Sequence, residues 1–250
     1  MQTTTIFITG WSFSKDFLEN YYGQKSTLRQ NIVFIDATKI LSKFNIEIDK
    51  ESYFDSITKE IEKLIFNSSS LFNIRIIGWS LGGLIAQIFA AKTMLKVSRL
   101  TLINTTANFL RDSDERTQAI DKLISNVTEG LNDTSVRNNI MKKFYASLIN
   151  EDSVWETNKE NASTEKLVEQ SAEYSTEELI NSLLFLKNIT IDETLLNTID
   201  IRCNIVTATN DLLIPPEHAE HLHSAIKNSS ISYIENSGHL LPIQNPKILV

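Results

Sequence analysis

The chain has 250 residues, 42% of them hydrophobic and 22% charged, and a formal net charge of −7. This is enough apolar material for one sizeable core, and the acidic balance argues against a general nucleic-acid binder. No apolar run approaches the ~18 residues a membrane helix needs, and a single cysteine, Cys203, cannot form a disulfide framework. Met1 to Thr5 carry no basic segment and precede only a short apolar run, so no signal peptide is expected and the cytoplasm is the simplest location.

In chain order, Thr4–Ile8 reads as a strand, followed by the loop Thr9-Gly10-Trp11-Ser12. A helix near Ser14–Tyr22, a strand Asn31–Ile35 and a helix Ser52–Phe66 come next. That helix places Phe54, Ile57, Ile61, Leu64 and Ile65 on one face at the 3.6-residue period. A strand at 74–77, a helix at 81–94 and a strand Arg99–Ile103 follow. Short apolar strands alternating with helices argue for a mostly parallel sheet covered by helices on both faces. From Ala107 to Asn188 the strand signal vanishes. Helical stretches are expected near Glu115–Val127, Ser135–Ile149, Thr164–Ala172 and Thr176–Leu186. An all-helical insertion between strands reads as a lid. The alternation resumes with strands at 204–208 and 231–234, so residues 1–106 and 189–250 are expected to form the core and 107–188 the lid.

The most informative segment is Gly78-Trp79-Ser80-Leu81-Gly82-Gly83, between a buried strand and an apolar helix. A strand, Gly-x-Ser-x-Gly and a helix make a turn too tight for side chains flanking the serine, and it holds the hydroxyl above the sheet edge. Such a serine needs a base, and the base an orienting acid. Of the four histidines, His218, His221 and His223 fall on one stretch read as a solvated helix. His218 and His221 share a face there, but no third ligand stands at metal spacing, so no metal site is expected. His239 instead follows a strand in Asn236-Ser237-Gly238-His239, where the glycine lets the backbone turn and aim the ring. Asp211 stands in the loop after strand 204–208, whereas Asp192 and Asp200 precede that strand. Ser80, Asp211 and His239 are thus the candidate nucleophile, acid and base. The backbone N–H groups of Leu81 and Trp11 are the candidate oxyanion donors, and the Trp11 indole is a candidate wall of the acyl pocket.

With these motifs in this order, the chain resembles a lid-bearing α/β-hydrolase over nearly its whole length. Within that superfamily it is most similar to the biotin-pathway esterases that demethylate pimeloyl-acyl carrier protein methyl ester. The matching segments are Gly10-Trp11, Gly78 to Leu84, Ile191 to Leu196, Asn210-Asp211 and Gly238-His239. Thr9 stands where the family usually has a histidine, which removes the usual support of the oxyanion loop. The antiparallel hairpin usual at the sheet edge and the usual closing helix are expected to be reduced or missing.

The resemblance implies a serine carboxylic-ester hydrolase with no metal or organic cofactor. A thioesterase or acyltransferase would use the same triad, and a non-catalytic hydrolase-fold receptor could retain it. A haloalkane dehalogenase is disfavoured, because that chemistry needs a carboxylate where Ser80 stands. Trp79 and the lid residues Phe144, Leu148, Leu183 and Leu184 are candidates to contact the acyl chain. Residues 135–150 hold Arg137, Lys142 and Lys143 and no carboxylate, a candidate docking patch for an acidic acyl carrier protein.

Overall fold

The computed structural model describes residues 3–23, 31–44, 49–68, 73–111, 113–149 and 162–249. The terminal residues Met1, Gln2 and Val250, and residues 150–161 of the expected lid, lie outside them. Among the described residues six strands form one sheet: β1 Thr4–Ile8, β2 Asn31–Ile35, β3 Ile74–Trp79, β4 Val97–Ile103, β5 Cys203–Ala208 and β6 Ser229–Ile234. Their order is β2-β1-β3-β4-β5-β6, and every pairing is parallel. All five residues of β1 are buried, as expected of a strand covered on both faces.

Helices flank the sheet. Helix α1, Lys15–Gly23, is followed by α2, Ala37–Leu41, then α3, Lys50–Ser68, and α4, Leu81–Lys92. On α3, Phe54, Ile57, Ile61 and Ile65 are fully buried and Leu64 partly so, which matches the expected face. Helix α4 is buried along Leu81 to Phe89, so it forms the centre of its layer. Helix α2 was not legible in the sequence because five residues are too few to display a period. It forms because the Asp36 carboxylate accepts from the Lys39 N–H and caps it.

Between β4 and β5 lie α5 Asp114–Glu129, α6 Thr134–Leu148, α7 Thr164–Ser171 and α8 Thr176–Asn188. Each begins at a side-chain cap, from Ser113, Asp133, Ser163 and Ser175 in turn. The chain leaves and re-enters the core side by side: Asn108 bridges Thr190, and Ile191 N–H donates to Ala107 O at 2.8 Å. Helix α9, Glu193–Leu196, leads into β5, and α10, Glu217–Ala225, connects β5 to β6. Helix α11, Leu241–Gln244, closes the fold with a 3-10 turn, Pro246–Leu249. Tyr21 and Tyr22 of α1 donate to the carbonyls of Ile243 and Pro242, both at 2.7 Å.

The register fixes where chemistry is possible. Ile8 pairs with Gly78, Trp79 with Ile103, Ile103 with Val206 and Ala208 with Ile234. The carboxyl ends of these strands therefore share one edge. The chain runs from β1 outward to β2 and then returns to β3 on the other side of β1. The loops after β1 and β3 diverge at that point, where open parallel sheets leave a crevice for ligands.

Candidate active site

Ser80 stands between β3 and α4 with φ 54° and ψ −121°, a conformation that costs of order 1–3 kcal/mol for a side-chain-bearing residue. Three bonds hold it there. Its N–H donates to Ile103 O at 3.0 Å, and its carbonyl accepts from Thr105 Oγ1 at 2.6 Å and from the Gly83 N–H at 2.9 Å. The flanking glycines are needed for room: no glycine among the described residues has positive φ. A Cβ on Gly78 would fall 2.6 Å from the Ala86 methyl, and one on Gly82 would fall 2.2 Å from Ile8 O.

Three loops bring the candidate triad together. His239 Nε2 lies 2.9 Å from Ser80 Oγ, and His239 Nδ1 lies 2.7 Å from Asp211 Oδ2. A carboxylate only accepts, so Nδ1 carries the proton and Nε2 is free to accept from the serine. The other carboxylate oxygen, Asp211 Oδ1, accepts from the N–H groups of Leu213 and Ile214, both at 2.9 Å. Asp211 and His239 are buried. The rival acids lie elsewhere: Asp192 caps α9 and pairs with Lys50 at 2.9 Å, and Asp200 is exposed.

The base loop corrects one expectation. Its left-handed residue is Asn236, with φ 53°, and not Gly238. Two side chains hold the loop: Trp79, expected from the sequence only at the acyl chain, and Asn104, which the sequence did not single out. Trp79 Nε1 donates to His239 O at 3.0 Å, and Asn104 Nδ2 donates to Gly238 O at 3.0 Å. Asn104 Oδ1 also accepts from the Ala208 N–H at 2.9 Å, so one amide ties the end of β4 to the strand before Asp211 and to the loop of His239.

The loop after β1 abuts the serine, since a Cβ on Gly10 would lie 3.5 Å from Ser80 Cβ. Among the described residues no acceptor takes the backbone N–H of Trp11 or of Leu81. Thr9 Oγ1 donates to Gly10 O and accepts from the Ala37 N–H, both at 3.3 Å.

An apolar cavity of about 280 Å³ opens on Ser80 and His239. Trp11, Trp79, Phe144, Leu148 and Leu183 line it as expected, but Leu184 does not. On α8 the residue that shares the face of Leu183 is Leu186, three positions on, and Leu186 lines the cavity instead. The sequence reading also missed the contribution of α5, through Ile120 and Leu123. A second cavity of about 290 Å³, bounded by Ile149 and Leu212, shares Leu148, Leu213 and His239 with the first.

The expected cationic patch is smaller than its sequence. Arg137 donates through Nη2 to Ser171 O at 2.6 Å and Tyr174 O at 2.7 Å, so its guanidinium is engaged in joining α6 to the C-terminal end of α7 and the turn beyond it. Lys142 is exposed but lies 3.4 Å from Glu165, and of the three cations only Lys143 is exposed with no carboxylate paired to it among the described residues.

His218 is likewise not on a solvated face. It is buried, with Nδ1 2.7 Å from Thr106 Oγ1. Burial, with Arg116 and Arg111 nearby, pushes its pKa down to about 3. No group of three His, Cys, Asp or Glu side chains able to hold a metal occurs among the described residues. Cys203 is buried in β5, where desolvation pushes its thiol up to about 12.

A parallel sheet with a strained serine at its central crevice defines the class. The chain belongs to the alpha/beta hydrolase fold family, whose sequence profile matches residues 43–246. No functionally curated protein matches it. Among solved structures it is similar to the esterase EaEST from Exiguobacterium antarcticum (TM-score 0.75, 20% identity, covering 99% of this chain and 89% of that one). It is also similar to a bromoperoxidase from Bacillus anthracis (TM-score 0.74, 17% identity, 99% and 88% covered). A third is MenH from S. aureus (TM-score 0.68, 16% identity, 99% and 90% covered). At such identities the likeness speaks to the fold, and the reaction has to be argued from the site.

Proposed function

We propose that this protein is a serine carboxylic-ester hydrolase acting on esters with an apolar acyl chain. The observation that carries this reading is the unbroken relay from Ser80 Oγ through His239 to Asp211 at the mouth of an apolar cavity. In the first half-reaction Ser80 Oγ attacks the ester carbonyl while His239 Nε2 takes its proton. The oxyanion is met by the Trp11 and Leu81 N–H groups. His239 then returns the proton to the departing alcohol, leaving an acyl-serine, and water repeats the steps to release the acid. Asp211 holds the imidazole in the tautomer this needs. The cavity shared between His239 and Leu212 gives the leaving alcohol room.

Residues 107–188 act as the lid, with Phe144, Leu148, Leu183 and Leu186 against the acyl chain. Within this class, the matching segments Gly78 to Leu84 and Ile191 to Leu196 favour pimeloyl-acyl carrier protein methyl ester as the substrate. The apolar cavity accords with a methylene chain held between two acyl ends. A thioester would pass through the same steps, so paired oxygen-ester and thioester substrates of one acyl chain separate esterase from thioesterase. The direct test is turnover of p-nitrophenyl esters by the wild type and Ser80→Ala, with fluorophosphonate labelling located on the Ser80 peptide. Turnover without Ser80, or label elsewhere, rejects the reading.

A further inference from the structure

The loop that carries Trp11 is held from above. Gly10 to Phe13 form a turn closed by Phe13 N–H to Gly10 O at 3.3 Å, and its third residue, Ser12, has φ 60°. Glycine or asparagine is the usual choice at that place, because other residues are strained there. Every polar atom of Ser12 is engaged. Its N–H donates to Thr38 Oγ1 at 3.0 Å. The Tyr145 hydroxyl, on α6, lies 2.8 Å from both the Ser12 carbonyl and the Ser12 hydroxyl. The Gln170 amide, on α7, donates to the Ser12 carbonyl at 2.7 Å and to the Tyr145 hydroxyl at 2.8 Å, and its Oε1 accepts from the Ser14 N–H at 2.8 Å. Tyr145 is fully buried and Gln170 nearly so. The Trp11 indole is fixed in the same way, Nε1 donating to Ser182 Oγ at 3.0 Å and Leu179 O at 3.2 Å on α8.

We propose that Tyr145 and Gln170 are positioning residues for the oxyanion loop, so that the Trp11 N–H is aimed at the reacting carbonyl only while the helices above the site are seated. A strained turn persists only where its surroundings over-determine it. Here the surroundings are side chains from a separate part of the fold, 133 and 158 residues along the chain from Ser12. Release of those bonds lets Ser12 relax toward negative φ, which flips the turn and re-aims Trp11. Any displacement of α6 and α7 that broke these bonds would therefore dismantle the oxyanion hole, and their return would rebuild it. This rests on the reading of Trp11 as an oxyanion donor.

The test compares wild type, Tyr145→Phe, the Tyr145→Phe/Gln170→Met double variant and Tyr174→Phe. The last removes a buried hydroxyl at the same interface that bonds to Asp36 Oδ2 at 2.6 Å and not to the Trp11 loop. Loss of an oxyanion donor costs about 10²–10³ in kcat, so displacing one is expected to lower kcat for p-nitrophenyl butyrate about tenfold in the single variant. The double variant should lose about thirtyfold or more, with KM within twofold. Affinity for a trifluoromethyl ketone, whose adduct with Ser80 places an oxyanion in the hole, should fall by the same factor. Affinity for a long-chain alkyl amide, which fills the cavity without forming an oxyanion, should hold. Tyr174→Phe should lower Tm and leave kcat unchanged. Unchanged kcat and ketone affinity in the folded double variant would overturn the proposal. So would parallel losses of ketone and amide binding, which mark a structural effect. If the wild type neither turns over esters nor takes a fluorophosphonate on Ser80, the esterase reading itself fails, and the positioning role with it.

Discussion

Trp79 precedes the serine in sequence and holds the histidine in space: its indole N–H donates to the carbonyl of His239, 160 residues away, at 3.0 Å. The same ring packs on Phe13 at 4.5 Å and on the His239 imidazole at 6.0 Å. One side chain thus couples the turn that exposes Ser80 to the loop that presents His239. Trp79→Phe keeps a ring in the gap but leaves a buried carbonyl short of a donor, worth about 1–3 kcal/mol. Steady-state kinetics should register about a tenfold fall in kcat with little change in KM. Melting should fall by a few degrees, since ~1 kcal/mol shifts Tm by about 2–4 °C at this size. A kcat equal to wild type would show that Asn104 alone is sufficient to hold the loop.

The relay itself predicts a steeper loss. Ser80→Ala and His239→Ala should each lower kcat about 10⁴–10⁶-fold with the fold retained. Asp211→Asn should cost about 10⁴-fold, because an amide can donate to Nδ1 and so favours the wrong tautomer. Circular dichroism alongside ester turnover checks both halves of this expectation.

Chain-length preference should follow the face of α8. Leu183→Ala and Leu186→Ala change the cavity wall and should shift kcat/KM between acetyl and octanoyl esters several-fold. Leu184→Ala, off the cavity, should leave the acetyl-to-octanoyl ratio unchanged. A uniform loss across all chain lengths at Leu183 and Leu186 would mark destabilisation and remove them from the acyl site.

If an acidic carrier docks on α6, the exposed cations there to meet it are Lys142, which also pairs with Glu165, and Lys143. Lys142→Glu/Lys143→Glu should raise KM for a carrier-bound ester about tenfold, or about 1.4 kcal/mol, and leave a small free ester unaffected. The difference should shrink as salt is added, because exposed charges are screened. Arg137 is excluded from this test, since its reversal would break the contacts to Ser171 and Tyr174. An unchanged KM at low salt would take the docking role away from α6.

Stability should depend on pH through His218. Its folded pKa is pushed down to about 3 from an ordinary 6.5. Between those values the unfolded chain binds a proton that the folded chain refuses, so stability falls as pH drops through that window, by up to about 1.4 kcal/mol per pH unit. Asp36 opposes this, because burial raises its carboxyl and makes the folded state hold its proton longer. The two are separated by difference: His218→Gln should flatten the decline in Tm below pH 6.5 relative to wild type. Identical slopes in both proteins would refute the assignment.

The alternation of strands and helices, the glycines around Ser80 and the order Ser80, Asp211, His239 were legible from sequence alone. Each is a local statement: a strand too apolar for solvent, a turn too tight for side chains, an acid and a base placed just after strands. The α3 face was legible for the same reason, since a helical period needs only its own residues. What tertiary structure decided are the matters that depend on a second segment. Leu186 faces the cavity in place of Leu184 because α8 is rotated by its packing against α2 and α5. His218 is buried because Thr106, 112 residues earlier, meets its ring. Arg137 is no free surface charge because the carbonyls of Ser171 and Tyr174, at the end of α7 and just beyond it, close on it, and Ser12 keeps its strained backbone because Tyr145 and Gln170 descend on it from the insertion. A chain encodes its own periodicity at every point, but it encodes a contact between distant segments only through the fold that brings them together.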